Sequence, residues 1–363
     1  MIIKYLELSD YRNYKETHID LSPNTNIFFG DNAQGKTNIL EAVFMTGTTK
    51  SHKGSHDADI IRFGNDFGVI RALFEKKDVE YKIGIQLRKD KRKAISVNGS
   101  PIKKAAELLG IVNVVLFSPE DLSIIKSGPE KRRRFIDMTL CQIDKEYLFD
   151  LSSYNKIVNQ RNKLLKSYDR KTEISDTLDI WDDQLVNYGI RIIKKREKFI
   201  NETEKIINDI HHKLSGNEKK LSISYRKNSG EDEYAEKLKN SKNRDMIYKS
   251  TSAGPHRDDI DFDIDDINVR KFGSQGQQRT VALSLKLSEI EIIKEQTGDT
   301  PILLLDDVLS ELDMNRQKYL MDTLGDTQTL ITCTGLDEFV NNRFEINKCF
   351  EVKEGIIEEV NNG

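Results

Sequence analysis

The 363-residue sequence holds three cysteines, Cys141, Cys333 and Cys349. They are too few and too scattered for a disulfide framework or a zinc site. A dominant charge is also missing. Lys and Arg number 57 against 60 Asp and Glu, so overall charge offers a polyanion no attraction, and any such surface must be a local patch. No apolar run approaches the length needed to cross a bilayer. The opening MIIKYLELSD lacks the basic start and apolar centre of a secretory signal. No Ser/His/Asp or Cys/His nucleophile set emerges, and His211-His212 fall on a polar helix end where solvated side chains are expected. Together these absences point to a reduced cytosolic compartment and no membrane partner.

What is present is ample for a sizeable core and two structural units. IIKYLEL and NTNIFF read as strands, followed by FGVIRALF, VEYKIGIQL and KAISVNGSPI as short alternating segments with a hairpin turn at Asn98-Gly99. AAELLG reads as a short helix and IVNVVLF as a buried strand. From GPEKRRRFIDM onward helical periodicity takes over. Leu148, Leu151, Tyr154 and Val158 share a face, and Leu185, Ile192, Phe199 and Ile206 recur every seven residues, which predicts two packed helices running antiparallel across residues 166 to 178. Residues 215 to 247 read as polar and loop-rich. A strand, a glycine-bearing loop, a helix over 276 to 296 and the strands PILLLDD and TLITCT follow GPHRDDIDFDI. The expected class is an α/β nucleotide-binding lobe, split in sequence by a mainly helical inserted lobe without a long coiled coil. Its boundaries fall at 1–117, 118–250 and 251–363.

Gly30-Asp31-Asn32-Ala33-Gln34-Gly35-Lys36-Thr37 matches G-x-x-x-x-G-K-[ST] without a gap, between the strand NIFF and the helix-like TNILEAVF. In such a loop backbone N–H groups wrap the phosphates of ATP, the lysine reaches the outer ones and the threonine hydroxyl ligates Mg²⁺. The apolar strand PILLLDD ends in Asp306 and Asp307. A parallel strand buried on both faces reads as a continuous apolar run and points its C-terminal end into the ligand crevice. There Asp306 would hold Mg²⁺ with Thr37, and Asp307 would polarise the attacking water. Lys36 and Asp306 lie 270 positions apart, long for a compact phosphate-loop domain, so the nucleotide fold is interrupted.

FGSQGQQRTVALSLKLSEI puts Ser274 and Gly276 at the start of an amphipathic helix. That makes either a second anion site or an ordinary serine N-cap. SQGQQR, lying shortly before ILLLDD, resembles the signature of the ATP-binding-cassette ATPases, and LSELD at 309 to 313 resembles their D-loop, with Ser310 and Asp313. The split layout resembles the chromosome-maintenance and Rad50-like subgroup. More narrowly, LELSDYRNY, GDNAQGKTNILEA, SPEDLSIIKSGPEKRRRFID and TSAGPHRDDIDF ahead of SQGQQRTVALSLKL resemble the RecF family of bacterial recombination-mediator ATPases.

That resemblance implies an ATP-induced homodimer in which the phosphate loop of one subunit faces Ser274, Gln275, Gly276 and Gln277 of the other, with hydrolysis driving release. It places Thr334 at the switch position, puts Asp307 where relatives carry a catalytic glutamate, and sets Arg12 near the nucleotide. Slow, DNA-dependent hydrolysis is expected. The resemblance also implies nucleoid-associated binding of duplex DNA near single-strand gaps and junctions, and help in loading RecA through the partner RecR. From the residues alone the DNA signal is thinner: RKDKRK at 88 to 93, KRRR (Lys131, Arg132, Arg133, Arg134), and RIIKKREK with Lys194 and Lys195 are clusters that would contact phosphate or merely form a solvated surface. His256-Arg257 would pair with the acids that follow or face a ligand. The competing expectations are the nucleotide-binding subunit of a cassette transporter, another Rad50-like ATPase, and a nucleotide-binding scaffold with negligible turnover.

Overall fold

The computed structural model describes residues 1–167, 175–216, 218–325, 327–335 and 346–360. Strands β1 (Ile2–Tyr11), β2 (Tyr14–Asp20) and β3 (Thr25–Phe29) lead into helix α1 (Lys36–Thr48) and the single turn α2 (Asp57–Ile60). Strands β4 (Phe67–Lys76), β5 (Val79–Arg88), β6 (Ala94–Val97), β7 (Ser100–Pro101) and β8 (Val114–Phe117) come next. Four helices follow, α3 (Leu122–Lys126), α4 (Pro129–Ile143), α5 (Lys145–Ser167) and α6 (Ser175–Ser215). After β9 (Leu221–Arg226) come α7 (Tyr234–Asn240), α8 (Lys242–Tyr248), β10 (Asp259–Ile264), β11 (Ile267–Asn268), α9 (Val269–Phe272) and α10 (Gln275–Thr297). The chain closes with β12 (Ile302–Asp306), α11 (Met314–Leu324), β13 (Thr329–Cys333), β14 (Lys348–Lys353) and β15 (Ile356–Val360).

Two compact units form. The first comprises residues 1–121, 213–215 and 289–363, the second 122–212 and 216–288. The changeovers fall at 121/122 and 288/289, against the expected 117/118 and 250/251. The physical reason for the larger shift is strand pairing. Residues 215 to 247 are not the loop-rich stretch expected, since they carry β9, α7 and α8. Strand β9 pairs antiparallel with β10 in the three-stranded sheet β11-β10-β9. That pairing draws the GPHRDDIDFDI strand and the signature residues into the second unit.

In the first unit, β2-β1-β4-β5-β6-β7 make an antiparallel sheet and β15-β14-β3-β13-β12-β8 a mostly parallel one. Every residue of β8, β12 and β13 is buried, as continuous apolar runs in a doubly covered parallel sheet require. The core holds Ile39, Leu40, Val43 and Met45 of α1 together with side chains from both sheets. Gln328 joins the sheets by imitating a strand edge. Its Oε1 accepts from Ile3 N at 2.6 Å and its Nε2 donates to Ile3 O at 2.8 Å. Asn98 and Gly99 have φ of 50° and 78°, the doubly left-handed turn that a two-residue hairpin requires.

In the second unit, α5 and α6 are antiparallel. Glu146 pairs with Lys195, Asp150 with Arg191 and Arg161 with Asp182, so numbers rise on one helix as they fall on the other. Their connection, 168–174, lies outside the described residues. On α5 the fully buried face runs through Tyr147, Tyr154, Ile157 and Val158, while Leu148 and Leu151 are only half-buried. On α6 Leu185, Ile192 and Phe199 are buried as expected, but Ile207 replaces Ile206 at the next step. A straight helix drifts against a strict seven-residue repeat, so the seam moves one residue along. His211, expected to be solvated, is buried, 3.2 Å from Ser284 Oγ through its Nδ1.

Candidate functional site

The phosphate loop turns between β3 and α1. Gly30 and Gly35 have φ of 144° and 121°, conformations that side chains resist. Close approach demands glycine as well. A Cβ on Gly30 would lie 2.4 Å from Val352 O, and one on Gly35 2.5 Å from Asn13 Nδ2. Outside the loop, Asn13 Nδ2 donates to Gln34 O at 2.8 Å, Tyr14 OH to Gly35 O at 3.0 Å and Glu354 N to Gln34 Oε1 at 2.6 Å. Two hairpin turns thereby clamp the loop from behind. Neither clamp is visible in the motif, because both depend on sheet pairing.

Within the loop the Lys36 ammonium donates to Gly30 O at 2.6 Å and Asp31 O at 2.7 Å. Burial pushes its pKa below the ordinary lysine range, opposed by the nearby Asp307 and Asp306. Thr37 Oγ1 donates to Asp306 Oδ1 at 2.8 Å, so the loop threonine and the strand-end carboxylate meet. A cleft of about 170 Å³ is lined by Asn32, Ala33, Gly35, Lys36, Thr37, Asn38, Lys53, Asp306, Asp307 and Thr332.

Thr332 and Lys53 escape the sequence reading. Thr332 Oγ1 donates to Asp306 Oδ1 at 2.8 Å and accepts from Asp307 N at 3.1 Å. The expected switch residue, Thr334, is exposed just beyond β13. Side chains alternate along a strand, so the alternation in TLITCT was a usable signal that both threonines share a face. Asp307 has φ of 53°, a left-handed conformation that aspartate tolerates better than most residues. Ser310 Oγ donates to Asp307 O at 2.9 Å. Asp313 caps α11, its Oδ1 accepting from Arg316 N at 3.0 Å.

Arg12 is not among the residues lining the cleft. Its Nε and one terminal nitrogen donate to the two carboxylate oxygens of buried Glu41 at 2.8 and 2.7 Å.

Ser274 and Gln277 form a reciprocal cap at the start of α10. Gln277 N donates to Ser274 Oγ at 3.2 Å and Ser274 N to Gln277 Oε1 at 2.8 Å. Ser274, Gln275 and Gly276 are exposed. A Cβ on Gly276 would meet only Ser274 Oγ, at 4.0 Å, so nothing in the described residues of this chain demands a glycine there.

The family model described as RecF/RecN/SMC N terminal domain matches residues 2–358. A DNA replication and repair protein RecF from Agathobacter rectalis is 55% identical over 99% of both chains, and one from Lachnoclostridium phytofermentans is 53% identical over 99% of this chain and 100% of its own. The chain belongs to the RecF family. A solved RecF of the RecFOR pathway with ATP superposes with a TM-score of 0.93 at 37% identity, covering 99% of this chain and 98% of that one. The Smc head domain of Pyrococcus furiosus aligns with a TM-score of 0.58 at 19% identity over 99% of this chain and 96% of that one, a likeness of fold alone. The fold of this RecF-family chain is therefore the ABC-type ATPase head shared with SMC proteins. Among the described residues no helix is long and apolar enough to cross a membrane.

Of the basic residues expected to meet DNA, this RecF-family fold withdraws one. Arg132 is 1% exposed. It pairs with Asp259 at 2.6 Å and donates to Ile124 O and Ser127 O at 3.1 and 2.8 Å. A guanidinium facing inward to carbonyls cannot reach a phosphate backbone. Arg133 donates to Asp258 O at 2.6 Å, Lys195 pairs with Asp144 and Glu146, and Lys194 pairs with Glu231 while remaining 61% exposed. Lys131 and Arg134 are exposed. His256 is half-buried and Arg257 is exposed. Tyr154 OH lies 2.7 Å from His256 Nδ1, and Arg257 donates to Thr251 O at 2.9 Å.

Proposed function

We propose that the chain is an ATP-gated, DNA-binding dimer of recombinational repair and replication in the bacterial cytoplasm. It would grip duplex DNA near single-strand gaps and junctions, promote RecA loading through RecR, and let go on slow, DNA-dependent hydrolysis. The observation that carries this reading is a pair of half-sites. One is the cleft of Lys36, Thr37, Asp306 and Asp307 in the first unit. The other is the exposed start of α10 in the second, where no described residue requires a glycine at 276. A glycine that the described residues leave unexplained is accounted for by close approach of a second subunit and its triphosphate. Ser274, Gln275, Gly276 and Gln277 would then complete the partner's site.

The residues fit their ligands. Lys36 supplies a desolvated cation to the outer phosphates, and Thr37 and Asp306 form a pair of hard oxygen donors suited to Mg²⁺. Bound there, Mg²⁺ neutralises charge on the outer phosphate oxygens. Asp307 would orient the attacking water, Thr334 would stand at the switch position, the D-loop residues Ser310 and Asp313 would face the partner, and Lys131, Arg134 and Lys194 would meet DNA phosphates. The full-length identity to RecF relatives favours this reading over a transporter subunit.

Light scattering of wild type, Lys36→Ala and Ser274→Arg, with and without ATP and duplex, tests it. ATP should double the mass of the wild type alone and tighten its duplex retention. A Ser274→Arg protein that dimerises normally would remove the signature from the site.

A further inference from the structure

Between α2 and β4 the chain makes a tight turn, residues 62–66, that belongs to no motif. Its Phe63 is fully exposed, at 102%, and Phe67, the first residue of β4, is 53% exposed. The turn is firmly held. Arg62 N donates to Asp10 O at 2.9 Å and Asn65 N to Arg62 O at 3.1 Å, while Asn65 Nδ2 donates to Asp10 Oδ1 at 2.9 Å. Just beyond it, a Cβ on Gly68 would lie 2.6 Å from Asp10 O. Asp10 therefore fixes the turn through its backbone and its side chain. Gly64, with φ of 89°, supplies the left-handed step and has nothing within 4 Å of a Cβ position. A phenyl ring is thus kept in water on an ordered base, at the expense of the burial it would otherwise gain.

A second element meets the turn. Lys89 N donates to Asp66 O at 3.0 Å, and Arg88 is the register partner of Phe67 across β4 and β5. The connection between β5 and β6 therefore runs beside the two phenylalanines. Its Lys89, Lys91 and Arg92 are exposed, and among the described residues no carboxylate pairs with any of them. Arg62, 3.9 Å from Asp10, adds a fourth cation, against the exposed acids Asp66 and Asp90. Lys93 is used differently. Its Nζ donates to Thr49 O at 2.5 Å and Asp57 Oδ1 at 2.8 Å, anchoring the far end of the connection.

An exposed ring among unpaired cations suits a ligand that offers a flat apolar face and negative charge together, which describes a nucleic-acid base with its phosphates. Inside a continuous duplex every base face is covered by its neighbours. At the edge of a single-strand gap the last base pair leaves one face open. We propose that Phe63 stacks on the terminal base pair at a junction of single and double strand, with Lys89, Lys91 and Arg92 on the flanking phosphates. The inference rests on the DNA-binding reading above and deepens it. The cations position the strand, and the ring tells a junction from plain duplex.

Binding of the full chain with ATP and Mg²⁺ to a gapped duplex and to a closed dumbbell duplex of equal length decides it. Phe63 already stands in water, so its replacement leaves the fold intact. Phe63→Ala should bind the gapped duplex about ten-fold more weakly and the dumbbell within about two-fold of wild type. Phe63→Tyr, which keeps a ring, should keep the preference. A 2-aminopurine placed in the terminal pair should change its emission on binding wild type and not on binding Phe63→Ala. Lys91→Ala/Arg92→Ala should weaken both DNAs alike and lower the salt slope by roughly two units. An unchanged gapped-to-dumbbell ratio in Phe63→Ala overturns the stacking assignment. Loss of ATP-dependent mass doubling in that variant overturns it equally, in favour of a contact between copies of this chain. A double variant with wild-type DNA binding overturns the role of the cations and turns the patch toward an acidic protein surface. If wild type with ATP retains neither DNA, the DNA-binding reading itself fails, and the two failures are thus told apart.

Discussion

Asp306 and Thr332 face each other across the parallel pair β12–β13, and the threonine hydroxyl donates to Asp306 Oδ1 at 2.8 Å. The same carboxylate oxygen accepts from Thr37 at 2.8 Å, and Thr332 Oγ1 accepts from the backbone of Asp307 at 3.1 Å. One hydroxyl therefore fixes both acids at the end of β12.

Replacing Thr332 by Val keeps the shape and removes that hydroxyl. The cost in stability should be about 1–2 kcal/mol, the usual range for a buried hydrogen bond whose partners retain others. Asp306 loses one of its two orienting donors, so the Mg²⁺ concentration needed for half-maximal nucleotide binding should rise several-fold. Thr332→Ser should stay near wild type. A Thr332→Val protein with an unchanged Mg²⁺ midpoint would show that the β12–β13 hydroxyl does not orient the carboxylate.

Arg132 and Lys131 are neighbours with opposite environments. Arg132→Ala takes the donor from the carbonyls of Ile124, Ile125 and Ser127 and the nearest cation from Asp259, and should lower stability by about 3–5 kcal/mol in urea unfolding. Lys131→Ala should change stability by less than about 0.5 kcal/mol while weakening duplex binding and flattening its salt dependence by roughly one unit. A fully stable Arg132→Ala that loses duplex binding would return that guanidinium to the DNA surface.

His256 sets a pH dependence in the second unit. Its Nε2 lies 3.0 Å from Thr251 O and its Nδ1 2.7 Å from Tyr154 OH. The carbonyl can only accept, so Nε2 carries the proton and Nδ1 accepts from the tyrosine. Burial pushes the pKa down to about 4 from 6.5. The unfolded chain then binds the extra proton first, so this contribution is complete above pH 6.5 and fades as pH falls toward 4. By pH 5 the loss should be about 2 kcal/mol. His256→Gln should flatten the stability profile between pH 7 and 5. A variant with the wild-type slope would assign that titration elsewhere.

Residues whose work is local could be read from the sequence. The phosphate loop needs glycines where φ is positive, a lysine and a hydroxyl at set positions, and a strand before a helix, all within a dozen residues. The ILLLDD strand announces itself by an unbroken apolar run. Its meeting with the loop follows from the parallel order β3-β13-β12, although Lys36 and Asp306 are 270 positions apart. Tertiary structure decided the rest through contacts distant in sequence. The pairing of β9 with β10 moved 251–288 out of the nucleotide-binding unit. Facing carbonyls and Asp259 made Arg132 structural rather than DNA-facing. The register of β12 against β13 chose Thr332 to meet Asp306, and buried Glu41 took Arg12 through both carboxylate oxygens. Composition and spacing set which groups are available, and only packing sets which of them are desolvated, paired or left open.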